Sequence, residues 1–280
     1  MKARKRAPMV SALALPYCLV VGLFLLVPSA EMIVTSFHIP SPKAVAGEGF
    51  SLANYARLTD WFYLGIVWRT VRLALMATLI AGVLAYPLAY VMARSERTWR
   101  ITLSCLVMVP LMTSVVVKTF GWYILLGRNG LVASILTNLG FGVHSLIGND
   151  AAVLVGLAEF SLPFMVFSLL ASIEQIPVAL EEAASNLGAR RFEVFLKVII
   201  PLSRTGLLSG ILLCFGVSSS AYVVPAIMGG PSSRMVAQQI FDDVLVAFDW
   251  PAASALSVVL LLLLGSLIYF GIGIAQRRST

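Results

Sequence analysis

The sequence predicts an all-α, polytopic membrane protein with six transmembrane helices and both termini on the cytoplasmic side, and three observations carry that reading. Of its 280 residues, 59% are hydrophobic and only 12% charged, whereas soluble domains run at about half apolar and a quarter charged. Six apolar runs, near residues 10–36, 66–92, 101–126, 151–173, 204–228 and 253–275, match the length of about 20 helical residues that crosses a hydrocarbon core. The runs are solidly apolar instead of alternating, which excludes the pattern of a membrane β-barrel. Third, 13 of the 20 Lys and Arg residues fall in the segments that a cytoplasmic N-terminus would place inside, the bias expected of cytoplasmic loops. The net charge of +7 is thus accounted for by topology, and the chain has no basic patch with interleaved aromatics that would point to nucleic acid.

Taken in order, the first run follows Lys2, Arg4, Lys5 and Arg6. It is longer than the core of a signal peptide and ends in a poor cleavage site, "VPSAE", so it is read as an uncleaved anchor. The segment after it turns from Pro- and Gly-rich to "SLANYARLTD", where Ser51 suits the start of a short surface helix. The second external segment, "LGRNGLVASILTNLGFGVHSLIGND", brackets a short amphipathic piece with Gly and Asn turns. In the third, "GGPSS" interrupts the chain before another short helix. Cys18, Cys105 and Cys214 lie in three different runs with no ligand partner nearby, so neither a metal site nor a disulfide framework is indicated. The whole chain, 1–280, reads as one transmembrane domain.

One polar island breaks this pattern, the cytoplasmic loop of about 174–203 that contains "EEAASNLGARRFEVFLKVIIP". Pro177 suits the first turn of a helix, Glu181 and Glu182 follow, and Gly188 fits the left-handed position that closes one. A second helix is expected from about Arg190, with Phe192, Phe195, Leu196 and Ile199 gathered on one face, before Pro201 ends or bends it. The first helix is acidic and its Ala183 and Ala184 leave a smooth surface, unlike the basic face of a helix resting on lipid. Docking on a partner and resting on the membrane both remain open on these grounds.

The island resembles the "EAA" loop of importer-type ATP-binding cassette (ABC) permeases: E-A-A, three residues, Gly, nine residues, I-x-L-P. Glu182, Ala183, Ala184 and Gly188 match, and Val198, Ile199, Ile200 and Pro201 close the pattern with Val for Ile and Ile for Leu. The resemblance implies a type I importer permease in a bacterial inner membrane. Its coupling helix, around Glu181 to Gly188, would seat in a separate ATPase and carry nucleotide-driven closure into the spans as alternating access. No Gly-Lys pair occurs in the chain, so a Walker A loop is absent; ATP and magnesium belong to the partner, and this chain binds no cofactor of its own. Further stretches, "NYARLTD", "VVVKTFGWYILLGRNGLV", "LPFMVFSLLASIEQIP" and "DWPAASALS", are similar to spermidine/putrescine-type permeases. That family implies two ATPase copies, a second and different permease, and an external solute-binding protein, with lipid around the spans. Related members move aminoethylphosphonate, opines or ferric iron, which keeps those solutes as alternatives.

Charges within spans mark paths or partners. Glu159 and Lys118 are expected at similar depth, about 12 Å below the outer boundary at 1.5 Å per residue, either as a salt bridge between helices or as a pore-facing carboxylate that meets a cationic solute and its tuning partner. Pro163 interrupts backbone bonding in the fourth span, as suits a cavity-lining helix. Tyr222 adds a hydroxyl to the fifth, and Tyr123 lies near the outer interface, where anchoring competes with stacking on substrate. An intramembrane enzyme would need a nucleophile with a base or a metal cluster, and the only histidines, His38 and His144, lie far from any such set. A secondary transporter or channel would have no need of the EAA pattern.

Overall fold

Helices dominate because almost every long run is apolar and lipid offers the backbone no hydrogen-bond partner. The computed structural model describes residues 7–39, 49–140 and 146–276. Lys2, Arg4, Lys5, Arg6, Lys43, Arg277 and Arg278, part of the charge pattern above, and His144 lie outside the described residues. In chain order the helices are α1 Ala7–Thr35, α2 Ala53–Leu58, α3 Trp61–Arg94, α4 Arg97–Met112, α5 Val115–Leu126, α6 Leu131–Asn138 and α7 Asp150–Ile173. There follow α8 Val178–Asn186, α9 Arg191–Val194, α10 Ile200–Leu202, α11 Arg204–Ser219, α12 Val223–Met228, α13 Val236–Leu245 and α14 Trp250–Gln276. No strand occurs among the described residues, only an isolated bridge between His38 and Phe50.

Among the described residues three helices are long and apolar enough to cross a bilayer: α3, α7 and the stretch of α14 from Trp250 to Tyr269. Two further crossings are possible only as bent pairs, Arg97–Met112 with Val115–Asn138 at 94° and Arg191–Leu202 with Arg204–Ser219 at 70°. The third apolar run is therefore not the straight span expected from its hydropathy. Pro110 weakens the last turn of α4, and Thr113 and Ser114 are both extended, with ψ of 138° and 130°. The fifth run also breaks, at Ser220–Tyr222, before α12. By contrast α7 continues as one helix through Pro163.

The chain forms two compact units. One comprises residues 64–239 with 263–280. Its centre is the crossing of α7 and α11, made close by glycine: a Cβ on Gly206 would lie 2.4 Å from the Ser172 Cβ, and one on Gly210 would lie 2.5 Å from the Met165 sulfur. Small residues are the usual means by which helices approach in lipid. Ser218 donates to Ser161 at 2.7 Å across the same crossing, because the Ser161 hydroxyl proton is spent on the Leu157 carbonyl. Two apolar clusters flank it, one around Met92, Met165, Leu169 and Ile199 and the other around Leu73, Leu157, Met228 and Met235. The two broken segments meet here too, α5 packing on α12.

The other unit comprises residues 1–63 with 240–262. Buried Asn54 of α2 donates to the carbonyls of Ser36 (2.9 Å) and His38 (2.8 Å), fixing the chain just after α1. Ser51 accepts from the Ala53 N–H at 3.1 Å, close to the capping role expected of it. Arg57 pairs with Asp249 at 2.8 Å and donates to the Tyr63 hydroxyl at 3.2 Å. Asp249 keeps the guanidinium charged, its pKa raised above the ordinary Arg value, while also accepting from the Ala252 N–H at the start of α14.

Candidate functional site

The island folds as two short helices joined at Gly188, as the sequence predicts. Pro177 stands immediately before α8 and Gly188 has φ +88°. The Gly188 N–H donates to the Ser185 carbonyl (2.9 Å) and the Ala189 N–H to the Ala184 carbonyl (3.1 Å), the pair of bonds of a Schellman closure. Beyond it Glu193 accepts from the Arg190 N–H at 2.9 Å and pairs with Lys197 at 3.2 Å. The Arg190 N–H, followed by Lys197, holds the Glu193 carboxyl below its ordinary pKa.

The second helix departs from its expected face. Residues Phe195–Ile199 form a π turn, which holds one more residue per turn than α geometry and so rotates the residues beyond it. The stripe splits accordingly: Ile199 is buried and Phe195 half-buried, while Phe192 and Leu196 are exposed. Pro201 does not end this helix; the chain turns by 70° two residues later, around Ser203.

The two adjacent glutamates face different surroundings on α8. The Glu181 carboxylate, 12% exposed, accepts from Arg94 Nε (2.7 Å) and from the Tyr90 hydroxyl (2.8 Å), and forms an ion pair with Arg94, whose Nη2 lies 2.5 Å away. Arg94 also donates to the Ile176 carbonyl at 3.0 Å, just before Pro177. Glu182 and Ala183 are exposed and Ala184 is half-buried. Around them Val178, Leu180 and Leu187 expose 50%, 45% and 89% of their surface, so α8 presents an apolar face to its surroundings. Sequence reasoning counted Arg94 only as a topology charge and passed over Tyr90; a basic residue closing a long span was the one available signal.

Lys118 and Glu159 are brought together at 3.1 Å, with 13% and 26% of their side chains exposed. The Lys118 ammonium also lies 5.6 Å from the centre of the Phe160 ring, within the range of a cation–π contact. Lys118 stands one turn into α5, right after the 94° break, and Glu159 lies one turn before Pro163. Pro163 lacks the N–H that would bond the Glu159 carbonyl in a regular helix, so α7 carries a further acceptor oxygen at the level of the carboxylate. Tyr123 lies five residues beyond Lys118 and is 42% exposed, and half-buried Tyr222 stands at the start of α12, which packs on α5. Among the described residues no group of three or more His, Cys, Asp and Glu side chains is placed to hold a metal.

Three further aspartates, Asp150, Asp243 and Asp249, have structural surroundings. Asp249 is taken up by Arg57, Asp243 is buried, and Asp150, opening α7, pairs with Arg72 and accepts from Ser233 at 2.7 Å.

Comparison with known proteins agrees with this architecture. Residues 83–279 match the family of binding-protein-dependent transport system inner membrane components. The chain is 33% identical over 245 residues to the spermidine/putrescine transport system permease protein PotB of Escherichia coli (strain K12), covering 87% of this chain and 89% of that protein. It is 29% identical over 248 residues to PotB of Haemophilus influenzae, covering 88% and 87%. In structure it resembles a chain of the bacterial alginate ABC transporter in complex with an alginate-bound periplasmic protein, with a TM-score of 0.76 over 98% of this chain and 96% of that one at 15% identity. A protein with this island, these apolar helices and this family match belongs to the binding-protein-dependent transport system inner membrane components, as the permease subunit of an ABC importer.

Proposed function

We propose that this permease takes up a polyamine of the spermidine or putrescine type across a bacterial inner membrane. In this reading the chain is one transmembrane domain of six spans with both termini cytoplasmic, and α1 and the two bent pairs supply three of the crossings. It works with a second, different permease, two copies of an ATPase that holds ATP and magnesium, and an external solute-binding protein. The observation that carries the reading is α8: Glu182, Ala183 and the apolar side chains beside them are exposed on a helix held from behind by Glu181 and closed by the left-handed Gly188. A rigid helix with an uncovered apolar face suits seating in a partner's cleft. Pro201 follows just before the foot of α11.

The cargo assignment rests on the named relatives and on the chemistry at Glu159. A polyamine is a chain of ammonium groups, and Glu159 already holds one ammonium, that of Lys118. A passing solute exchanges with Lys118 on the carboxylate, helped by the carbonyl that Pro163 leaves without its helical donor, with Tyr123 and Tyr222 further along the path. Because Glu159 and Lys118 neutralise each other, the unloaded path carries no net charge there.

The test is co-purification with the partner ATPases, followed by putrescine- and spermidine-stimulated ATP hydrolysis in lipid with the solute-binding protein present. Glu182→Lys and Gly188→Pro are expected to lose association or coupling. Normal coupling in both would remove α8 from the transmission role. Intact coupling with no response to polyamines would leave the importer and discard the cargo.

A further inference from the structure

Tyr86, Tyr90 and Arg94 recur every four residues along α3 and therefore lie in one row. Together they hold the island at Glu181, Phe195 and Ser203. Arg94 and Tyr90 grip Glu181 on α8. The Phe195 ring of the π turn stands edge-on to both Tyr86 and Tyr90, with centroids 5.7 Å away in each case. Tyr86 donates to the Ser203 hydroxyl at 2.8 Å, because the Ser203 proton is spent on the Ile199 carbonyl at 2.7 Å. The row spans eight residues, about 12 Å of helix.

The island's covalent connections run through changes of direction. Toward α7 the chain passes through Glu174–Pro177, where Pro177 is extended with ψ 132°. Toward α11 it passes through the π turn and the 70° bend. A cavity of about 490 Å³, lined by Tyr86, Pro87, Phe195, Ile200 and Ile211 among others, lies beside that second joint and gives it room to shift. A displacement applied to α8 meets a change of direction at each joint, whereas the grip of Arg94 and Tyr90 on Glu181 connects α8 directly to α3.

We infer that α3, and not the two spans flanking the loop in sequence, is the principal receiver of movement from the coupling helix, with Arg94, Tyr90 and Tyr86 as its positioning residues. The inference rests on the reading of α8 as the ATPase-docking element. Arg94 and Tyr90 lie behind α8, so their loss should separate docking from transmission, a split that general unfolding would not produce.

The experiment uses the whole complex in lipid, comparing the native chain with Arg94→Gln, with Tyr90→Phe and with the swap Arg94→Glu plus Glu181→Arg. Trp61, at the far end of α3 and 89% exposed, is replaced by Cys in a chain otherwise free of cysteine, and its maleimide labelling rate is read with and without Mg-ATP. The native chain is expected to change its rate about fivefold on nucleotide binding, in proportion to the share of complexes that close. Arg94→Gln should keep ATPase association and basal hydrolysis within about twofold while losing most of that change, Tyr90→Phe should lose part of it, and the swap should restore it in part. Full nucleotide response in Arg94→Gln would overturn the inference, as would loss of ATPase association in parallel with the response. A native complex that binds no ATPase would sink the docking reading itself. Since the labelling needs no cargo, an incorrect solute assignment leaves this test intact.

Discussion

Two glutamates adjacent in sequence have opposite fates. Glu181 is almost enclosed by Arg94 and Tyr90, and removing one partner of such a pair leaves the other charge without compensation at a cost of about 3 kcal/mol. Glu182 is exposed, where truncation costs within about 0.5 kcal/mol. Thermal unfolding in detergent should therefore drop clearly for Glu181→Ala and hardly move for Glu182→Ala, while ATPase association should weaken for Glu182→Ala. Glu193 supplies a pH dependence. Its folded pKa is depressed by the Arg190 N–H and by Lys197, so its contribution is present above the ordinary carboxylate range and is lost as pH falls through the depressed value. A carboxyl-carbon NMR titration should place its midpoint below the ordinary value of 4.5; a midpoint at or above that value would refute the cap. The sequence pattern made Glu182, Ala183, Ala184 and Gly188 legible because their spacing is local. Arg94 was not legible as a partner, since it lies 87 residues from Glu181 and only tertiary packing joins them.

At the level of elements, hydropathy located the apolar runs but not their breaks. An apolar window gives the same mean whether its helix is straight or turns by 94°, and the signals at Thr113–Ser114 and Ser220–Tyr222 are small runs carrying hydroxyl residues that a span tolerates. The Lys118–Glu159 contact was nevertheless anticipated, because the depth of each residue depends only on its distance from a boundary. The helix crossing at Gly206 was not, since a lone glycine in a span has many possible uses. There a Cβ would meet the Ser168 carbonyl oxygen at 2.7 Å as well as the Ser172 side chain, and backbone cannot rotate aside. Gly206→Leu should therefore force α7 and α11 apart and destabilise the protein by upward of about 3 kcal/mol, measured as a lowered midpoint of thermal unfolding. Gly216, beside which a Cβ meets nothing within 4 Å, is the matched control and should tolerate alanine.

Over the whole molecule, the fold class and the family were legible, and the division into two compact units was not, because neither unit is a continuous stretch of chain. The long helices α3 and α14 each contribute residues to both units, so no linker composition marks the division. Along α1, Leu19, Leu23, Phe24, Leu25 and Leu26 are all more than 60% exposed, an apolar surface on every side that suits lipid or a neighbouring subunit. The row on α3 carries a different consequence, one of phase. Each residue added to a helix turns everything beyond it by about 100° and advances it by about 1.5 Å. One alanine inserted between Tyr90 and Arg94 would leave Arg94 on the wrong side of the helix although it moves hardly at all along the axis, whereas four inserted residues would bring it back within about 40° of its original side but a full turn too far. Movement from the island reaches α3 as through a keyed shaft, in which angular register counts for more than length.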